Sequence, residues 1–430
     1  MRPTKVVLIG AASASFGPSM IADALLTPEL QGSTLALVDI DGPRLEVMAA
    51  YARRLNDSLG RPLAIEHATE RTHALPGAEF VITSIAVERN ELWKLDFQIP
   101  LKHGIKQVFG ENGGPGGLSH SLRNIPIVLD IAQDMERLCP RAMLLNFSNP
   151  ESRICLAVSR YTGLRFAGLC HGIAMGYDAI GRITGLPGDD LVGTAAGLNH
   201  FAWFLDIRRR STGEDVYPLL QEREPGHRAD EWPLTRHLFH TFGLWPHPSD
   251  DHIGEYLPYA WEYCGLEGYN FTAADRHRVE AWERLSRIAA GDDPPPAPGE
   301  HLRRSGEFAF QIIAAAVAGR TEVVEAVNIR NGGCIAGLPE WAVVEIPAVV
   351  DANGLRGIRV GALPAGITAL VGAQVHVQDL VVEAAVHGSR QMALQALLAD
   401  PSVPSAQAAE KTLDELLSVH RQWLPRFAGE

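Results

Sequence analysis

Two short stretches carry the residues best suited to chemistry. "CHGI" (170–173) supplies Cys170, and "LNH" (198–200) supplies His200. A thiolate and an imidazole can share one divalent ion while leaving coordination positions open for a substrate. The same pair also reads as a buried strand-end thiol and a core imidazole, since free cysteine is among the most buried residue types. "PSDDHIGEYLPY" (248–259) adds Asp250, Asp251, His252, Glu255 and Tyr256, side chains able to move protons. Glu111 in "GENGG" is a further carboxylate, and Asn149-Pro150 closes the run "AMLLNFSNP". Turn chemistry accounts for Asn-Pro as well as a ligand does.

These residues need a scaffold. "KVVLIG" is an apolar strand ending at Gly10, followed by small residues and a helical stretch, "SMIADALLT". "TLALVDID" is a second strand, closed by Asp39, and the amphipathic "GPRLEVMAAYARRLN" follows it. With "AEFVITSIAV", "AMLLNFSNP" and "LRFAGLC", short apolar runs alternate with helices, the pattern of a parallel sheet covered on both faces. The first turn places backbone N–H groups and a helix N-terminus against a pyrophosphate. Gly10, Ala12, Ser13 and Phe16 line it, although Ala12 replaces the second glycine of the usual fingerprint. Asp39 stands where a carboxylate accepts the ribose diol, which favours NAD over NADP. A tight turn with a helix-capping Asp, binding no nucleotide, is the plain alternative.

Beyond residue 196 the texture changes. "AAGLNHFAWFLDIRRRSTGEDVY" alternates like an antiparallel hairpin turning near Ser211–Gly213. Helices "GEFAFQIIAAAVAG" and "QDLVVEAAVHGSRQMALQALLAD" follow, and Pro-rich "GDDPPPAPGE" (291–300) reads as a surface loop. The expected fold is α/β: a Rossmann-like domain over 1–196, then an α+β domain over 197–430 for substrate, metal and oligomerisation.

The 430 residues carry a formal charge of -13, which argues against a nucleic-acid partner. No apolar run reaches membrane-spanning length, so no membrane partner is expected. Five scattered cysteines fit free thiols in a reducing, cytoplasmic setting better than a disulfide framework.

Several stretches together resemble glycoside hydrolase family four, the NAD- and Mn²⁺-dependent glycosidases. They are "GAASASF" (10–16), "LDFQIPLKHGI" (95–105), "GENGGPGG" (110–117), "LRNIPIVLDIAQDMERLCPRAMLLNFSNP" (122–150), "CHGI", "GLNHFAWF", "NIRNGGCIAGLPEWAVVEIPA" (328–348) and "QALLADPSV". The resemblance spans nearly the whole chain, and "LNFSNP", Cys170 and "LNH" in this order are its most specific part. "GENGGPGG" departs from the family by lacking the Thr that often follows the acidic residue.

The resemblance implies a lactate/malate dehydrogenase-like architecture and a redox-neutral hydrolysis. NAD oxidises sugar C3, a base takes the C2 proton, the C1 substituent leaves, water adds and the hydride returns. Most glycosidases instead work with two carboxylates flanking the scissile bond. The resemblance further implies Cys170 and His200 as ligands of Mn²⁺, or of Co²⁺, Ni²⁺ or Fe²⁺, with Asn149 and Glu111 near the sugar and Asn149 also near the nicotinamide. His171 matches the branch acting on non-phosphorylated α-linked sugars, where it binds a hydroxyl or the departing oxygen; capping the next helix is its plain role. Asp250 is the expected C2 base, with Tyr256 in reserve. A homo-oligomer, dimer or tetramer, is expected, and α-glucosides and α-glucuronides lead the substrates. A 2-hydroxy acid dehydrogenase on the malate-like scaffold and an NAD-sensing regulator are the competing readings.

Overall fold

The structure, a computed structural model, describes residues 2–60, 63–297, 299 and 302–428. Six parallel strands open the fold: β1 (Lys5–Ile9), β2 (Thr34–Val38), β3 (Ala64–Ala68), β4 (Phe80–Thr83), β5 (Met143–Asn146) and β6 (Arg165–Gly168). Their order, β3-β2-β1-β4-β5-β6, is that of a dinucleotide-binding sheet. Apolar residues run continuously along β1 because both faces are covered. Val7 and Ile9 meet the helices Gly114–Leu138, Glu151–Tyr161 and Ala365–His387, while Val6 and Leu8 meet Gly17–Leu25, Gly42–Ser58 and Ala309–Ala318.

The sheet does not stop at β6. The remaining strands are β7 (Leu191–Leu198), β8 (Phe201–Arg209), β9 (Pro246–His247), β10 (Glu322–Arg330), β11 (Ile335–Ala336), β12 (Val343–Asp351), β13 (Gly354–Gly357) and β14 (Gly361–Ala362). β10 joins β6 antiparallel through Asn328 opposite Gly168, and the order continues β10-β12-β7-β8-β9. The expected division at 196/197 therefore falls inside β7, and the two halves share one sheet. Helix Ala365–His387 also returns to pack on helices of the first half.

Two further expectations change. The β7–β8 hairpin turns at Asn199–His200, not at Ser211–Gly213; the later turn only brings Arg208 opposite Asp215. Helix Ala365–His387, by length and composition, could cross a bilayer, contrary to the reading of the sequence. In this fold its Val375, Val381 and Val382 are core residues. Within the Pro-rich loop, residues 298 and 300 lie outside the described residues.

A buried ionic triad ties the chain's end to this frame. Asp96, on helix Arg89–Lys102, takes both terminal nitrogens of Arg123, and its Oδ1 also lies 2.9 Å from His420 Nε2. All three side chains are buried. Burial alone would raise the Asp96 carboxyl, but the Arg123 charge and the hydrogen bonds from His420 and Arg123 hold it at about 2. A depressed carboxyl stabilises the fold above the unfolded-chain value of about 4 and loses that contribution as pH falls through the folded value. Removing one partner leaves a buried charge unpaired. Asp96→Asn is therefore expected to cost about 3–5 kcal/mol at pH 7. The deficit should shrink as the pH drops from about 4 toward 2. Urea midpoints measure it; equal midpoints at pH 7 would sink the assignment.

Candidate active site

Cys170 lies just past the end of β6, and His200 sits on the β7–β8 turn with φ +63°. Two strands, β10 and β12, separate β6 from β7 in the sheet, yet Cys170 Sγ and His200 Nε2 are 3.4 Å apart. Metal–sulfur and metal–nitrogen bonds of about 2.3 and 2.1 Å, at right to tetrahedral angles, spread the two donors about 3.1–3.6 Å apart. The pair fits one ion. Burial pushes the Cys170 thiol well up, with the charges of Glu345 and Glu307 adding to it. Burial first, then the charge of His252, pushes His200 well below its usual value, so its imidazole is neutral, the form that ligates. A cation here would supply the charge a thiolate needs. Among the described residues no third His, Cys, Asp or Glu completes a metal cluster with them.

His200 Nδ1 faces the Asn112 side-chain amide at 3.2 Å. The facing atom is Asn112 Nδ2, which also lies 3.4 Å from Glu111 Oε2; ligation through Nε2 puts the proton on Nδ1 and calls for the amide in its flipped orientation, oxygen toward the ring. Asn112 and Glu111 belong to the turn ahead of helix Gly114–Leu138. Glu255 Oε2 accepts from the backbone N–H of Glu111, Asn112 and Gly113 at 2.7, 2.5 and 2.8 Å. Burial raises the Glu255 carboxyl to about 8, with the Glu111 charge adding to it and the backbone bonds opposing.

Glu111 is itself buried and pairs with Arg89 Nη2 at 2.8 Å. Burial would raise it; the charges of Arg89, His120 and His252 and a bond from Asn149 bring it below the usual range. The structure thus brings Glu111 and Asn149 together. The Asn149 carbonyl accepts from Asn124 Nδ2 at 2.7 Å, and its peptide bond to Pro150 is cis.

His171 opens onto the same cleft. Its side chain is 58% exposed, and Nδ1 lies 2.9 Å from Glu307 Oε1. That hydrogen bond, opposed by burial, raises its imidazole. His171 makes no side-chain cap on helix Gly172–Thr184, which leaves the plain capping role without support.

The acidic stretch divides in an unexpected way. Asp250 Oδ2 accepts from Leu234 N at 2.9 Å, and Oδ1 accepts from Thr235 N and Thr235 Oγ1 at 2.8 and 2.6 Å. Both oxygens cap helix Pro233–Phe242, so the expected base is turned to a structural task. Its neighbour Asp251 points elsewhere, with a 46% exposed side chain and Oδ1 2.9 Å from His252 Nδ1. Burial opposes ionisation of Asp251, but bonds from His252 and Ser249 and the His252 charge hold it well below the carboxylate range. The His252 ring meets His200 edge to face at 4.3 Å, which puts Asp251 near His200 and Cys170. Tyr256, the reserve base, is buried behind the hairpin. Its hydroxyl donates to the Asn199 carbonyl at 3.3 Å, and burial drives its phenol well up. A buried, committed phenol is a poor base.

The first turn keeps its expected shape. Gly10 has φ +90°, and a Cβ there would lie 2.0 Å from the Ser84 carbonyl oxygen. Ala12 N and Asp41 N donate to Asp39 Oδ2 and Oδ1 at 2.9 and 3.1 Å, leaving lone pairs on both oxygens for a diol. Ser13 Oγ accepts from Phe16 N at 3.2 Å, and the Phe16 ring lies 4.8 Å from that of Phe147. Asn112 and Arg89 are not singled out in the sequence, whereas Asp251, His252 and Glu255 stand in the stretch 248–259 beside the expected base.

The sequence profile described as family 4 glycosyl hydrolase matches residues 5–185, and that of the family's C-terminal domain matches 195–403. The chain belongs to glycosyl hydrolase family 4. It is 35% identical to an alpha-glucosidase of Erwinia rhapontici, covering 98% of this chain and 99% of that one. It is 32% identical to an alpha-galactosidase of Bacillus subtilis over 98% and 99%. A 6-phospho-alpha-glucosidase from gut microorganisms, solved with NAD and Mn²⁺, superposes with TM-score 0.85 at 22% identity, covering 99% of both chains. Malate dehydrogenase of Cryptosporidium parvum shares the architecture more distantly, with TM-score 0.54 at 14% identity over 90% of this chain and 99% of that one.

The two adjacent acids of this family 4 chain make a direct test. Asp250→Ala should lower stability by about 1–2 kcal/mol, the value of a helix cap. Turnover per folded molecule should stay within a few-fold. A thousandfold loss of kcat at unchanged stability would return Asp250 to the chemistry.

Proposed function

We propose that this chain hydrolyses non-phosphorylated α-glycosides using NAD and a divalent ion, Mn²⁺ first and Co²⁺, Ni²⁺ or Fe²⁺ as substitutes. The single observation that carries the reading is the 3.4 Å approach of Cys170 and His200 beside an ionised Asp251. The names of the relatives and the NAD and Mn²⁺ of the solved neighbour support it. When bound, NAD⁺ would take a hydride from the sugar and give it back at the end of the cycle, and the ion would serve as a Lewis acid toward sugar oxygens.

This chain's own residues divide the remaining work. Gly10, Ala12, Ser13, Phe16 and Asp39 hold the dinucleotide, and Cys170 and His200 hold the ion. Asn149 and Glu111 orient the sugar hydroxyls. Asp251, rather than Asp250, takes the C2 proton: it is ionised and half exposed, and His252 fixes its orientation. His171, held by Glu307, donates toward a sugar hydroxyl or the departing oxygen. We also propose a cytoplasmic homo-oligomer, dimer or tetramer, without nucleic-acid or membrane partners. The five cysteines, all free, and the acidic balance support that setting.

A panel of nitrophenyl α- and β-glycosides, uronides included, with NAD⁺, Mn²⁺ and reductant, tests the reading. Turnover on an α-glycoside without growth of NADH absorbance is expected. Cys170→Ser and Asp251→Asn should each abolish it while NAD still binds. No turnover on any α-substrate overturns the assignment; steady NADH accumulation would instead favour the 2-hydroxy acid dehydrogenase. Full function in Cys170→Ser would favour an NAD-sensing regulator.

A further inference from the structure

Glu255 is buried to 2% exposure, and one of its oxygens receives three successive backbone N–H groups, those of Glu111, Asn112 and Gly113. Converging N–H donors of this kind form a cradle for an anion. They also lie at the head of the 25-residue helix Gly114–Leu138, where the helix dipole favours negative charge. The contact admits no bulk: a Cβ on Gly113 would lie 2.4 Å from the Glu255 carbonyl oxygen and 2.7 Å from its Cβ. The buried guanidinium of Arg153 lies within electrostatic reach of Glu255, Tyr256 and Asp400 and offsets the carboxylate.

The turn held this way carries two side chains that matter. Glu111 reaches Arg89, and Asn112 reaches His200 Nδ1. Glu255 itself ends the helix Asp250–Gly254 that bears Asp251 and His252. One carboxylate therefore joins the arm that orients the histidine ligand to the arm that presents the base.

We propose that Glu255 is a positioning residue that sets divalent-ion affinity through the backbone of residues 111–113 and the Asn112 amide, without ligating the ion. The inference rests on the assignment of Cys170 and His200 as ligands. A group that orients a ligating histidine commonly changes metal affinity about 10–100-fold when lost.

Co²⁺ titrated into the NAD-loaded full chain gives a thiolate-to-cobalt absorption band that reports the site directly, and NAD affinity is measured alongside. Wild type should show the band and Cys170→Ser should lose it; absence of the band in wild type overturns the ligand assignment and this inference with it. Glu255→Ala should weaken Co²⁺ by about 10–100-fold, with NAD affinity unchanged. Glu255→Gln, which keeps an acceptor oxygen in the cradle, should recover most of the loss. Asn112→Ala should cost about as much as Glu255→Ala, and the double variant no more than either, because both act along one path. Wild-type Co²⁺ affinity in Glu255→Ala, or additive losses in the double variant, overturns the proposal. Should Glu255→Ala not fold, Gly113→Ala breaks the same contact from the loop side, and unchanged Co²⁺ affinity there overturns it equally.

Discussion

Two side chains that share an ion must be held at a fixed separation by everything between them, because the ion's remaining positions belong to the substrate. In this chain the spacer is the sheet itself. Cys170 leaves the end of β6 and His200 rides the β7–β8 turn, with β10 and β12 inserted between their strands. A strand spacing of about 4.8 Å puts strands three places apart well beyond bonding distance, so the loops must lean back toward each other. His200 accomplishes this with a left-handed backbone, a conformation that costs a non-glycine residue of order 1 kcal/mol or more and persists where surrounding structure enforces it. The enforcing contacts are present: Asn112 on one side of the ring and His252 on the other.

The site is also a place where buried acids accumulate. Glu345 lies beneath it on β12, accepting from Asn199 and Asn328 at 3.3 and 3.2 Å, and burial raises it to about 7, with those two bonds opposing. Glu151 and Glu255 are buried too, both raised chiefly by burial. Burial holds these acids toward their protonated forms, and a divalent cation at the proposed site between Cys170 and His200 would favour their ionisation. Burial, and after it the charges of Glu345 and Glu307, push the Cys170 thiol up, and a cation at the proposed site would oppose both.

Much of the frame is legible in the sequence. Five of the six parallel strands announce themselves as apolar runs, while the half-exposed β3, "AIEHA", does not; Cys170, His200, Asn149 and Glu111 stand in motifs whose order carries information. What stays hidden is non-local or directional. No local pattern says that β10 will add to β6, because the pairing joins residues far apart through one short register. The hairpin turn is hard to place because Asn-His lacks the glycine that normally marks a left-handed position. Ser211–Gly213 has that glycine and is the more conspicuous turn. Glu255 looks like ordinary surface charge in "IGEYLPY"; only the arriving turn of residues 111–113 buries it and gives one of its oxygens three N–H donors.

The stretch 250–255 shows most plainly why residue type alone does not assign a role. Three carboxylates lie within six positions and meet three environments. Asp250 turns toward the start of helix Pro233–Phe242, and burial raises it despite the hydrogen bonds it accepts. Asp251, one residue on, looks toward the cleft and is held ionised by His252. Glu255 enters the N–H cradle, and burial raises it to about 8. Environments that push neighbouring acids apart are how one short segment separates structural duty from proton transfer. Of the three, Asp251 alone is ionised, half exposed and beside Cys170 and His200, which is what supports the proposal that it is the base. A slip of one residue in reading the segment therefore exchanges the proposed base for a helix cap.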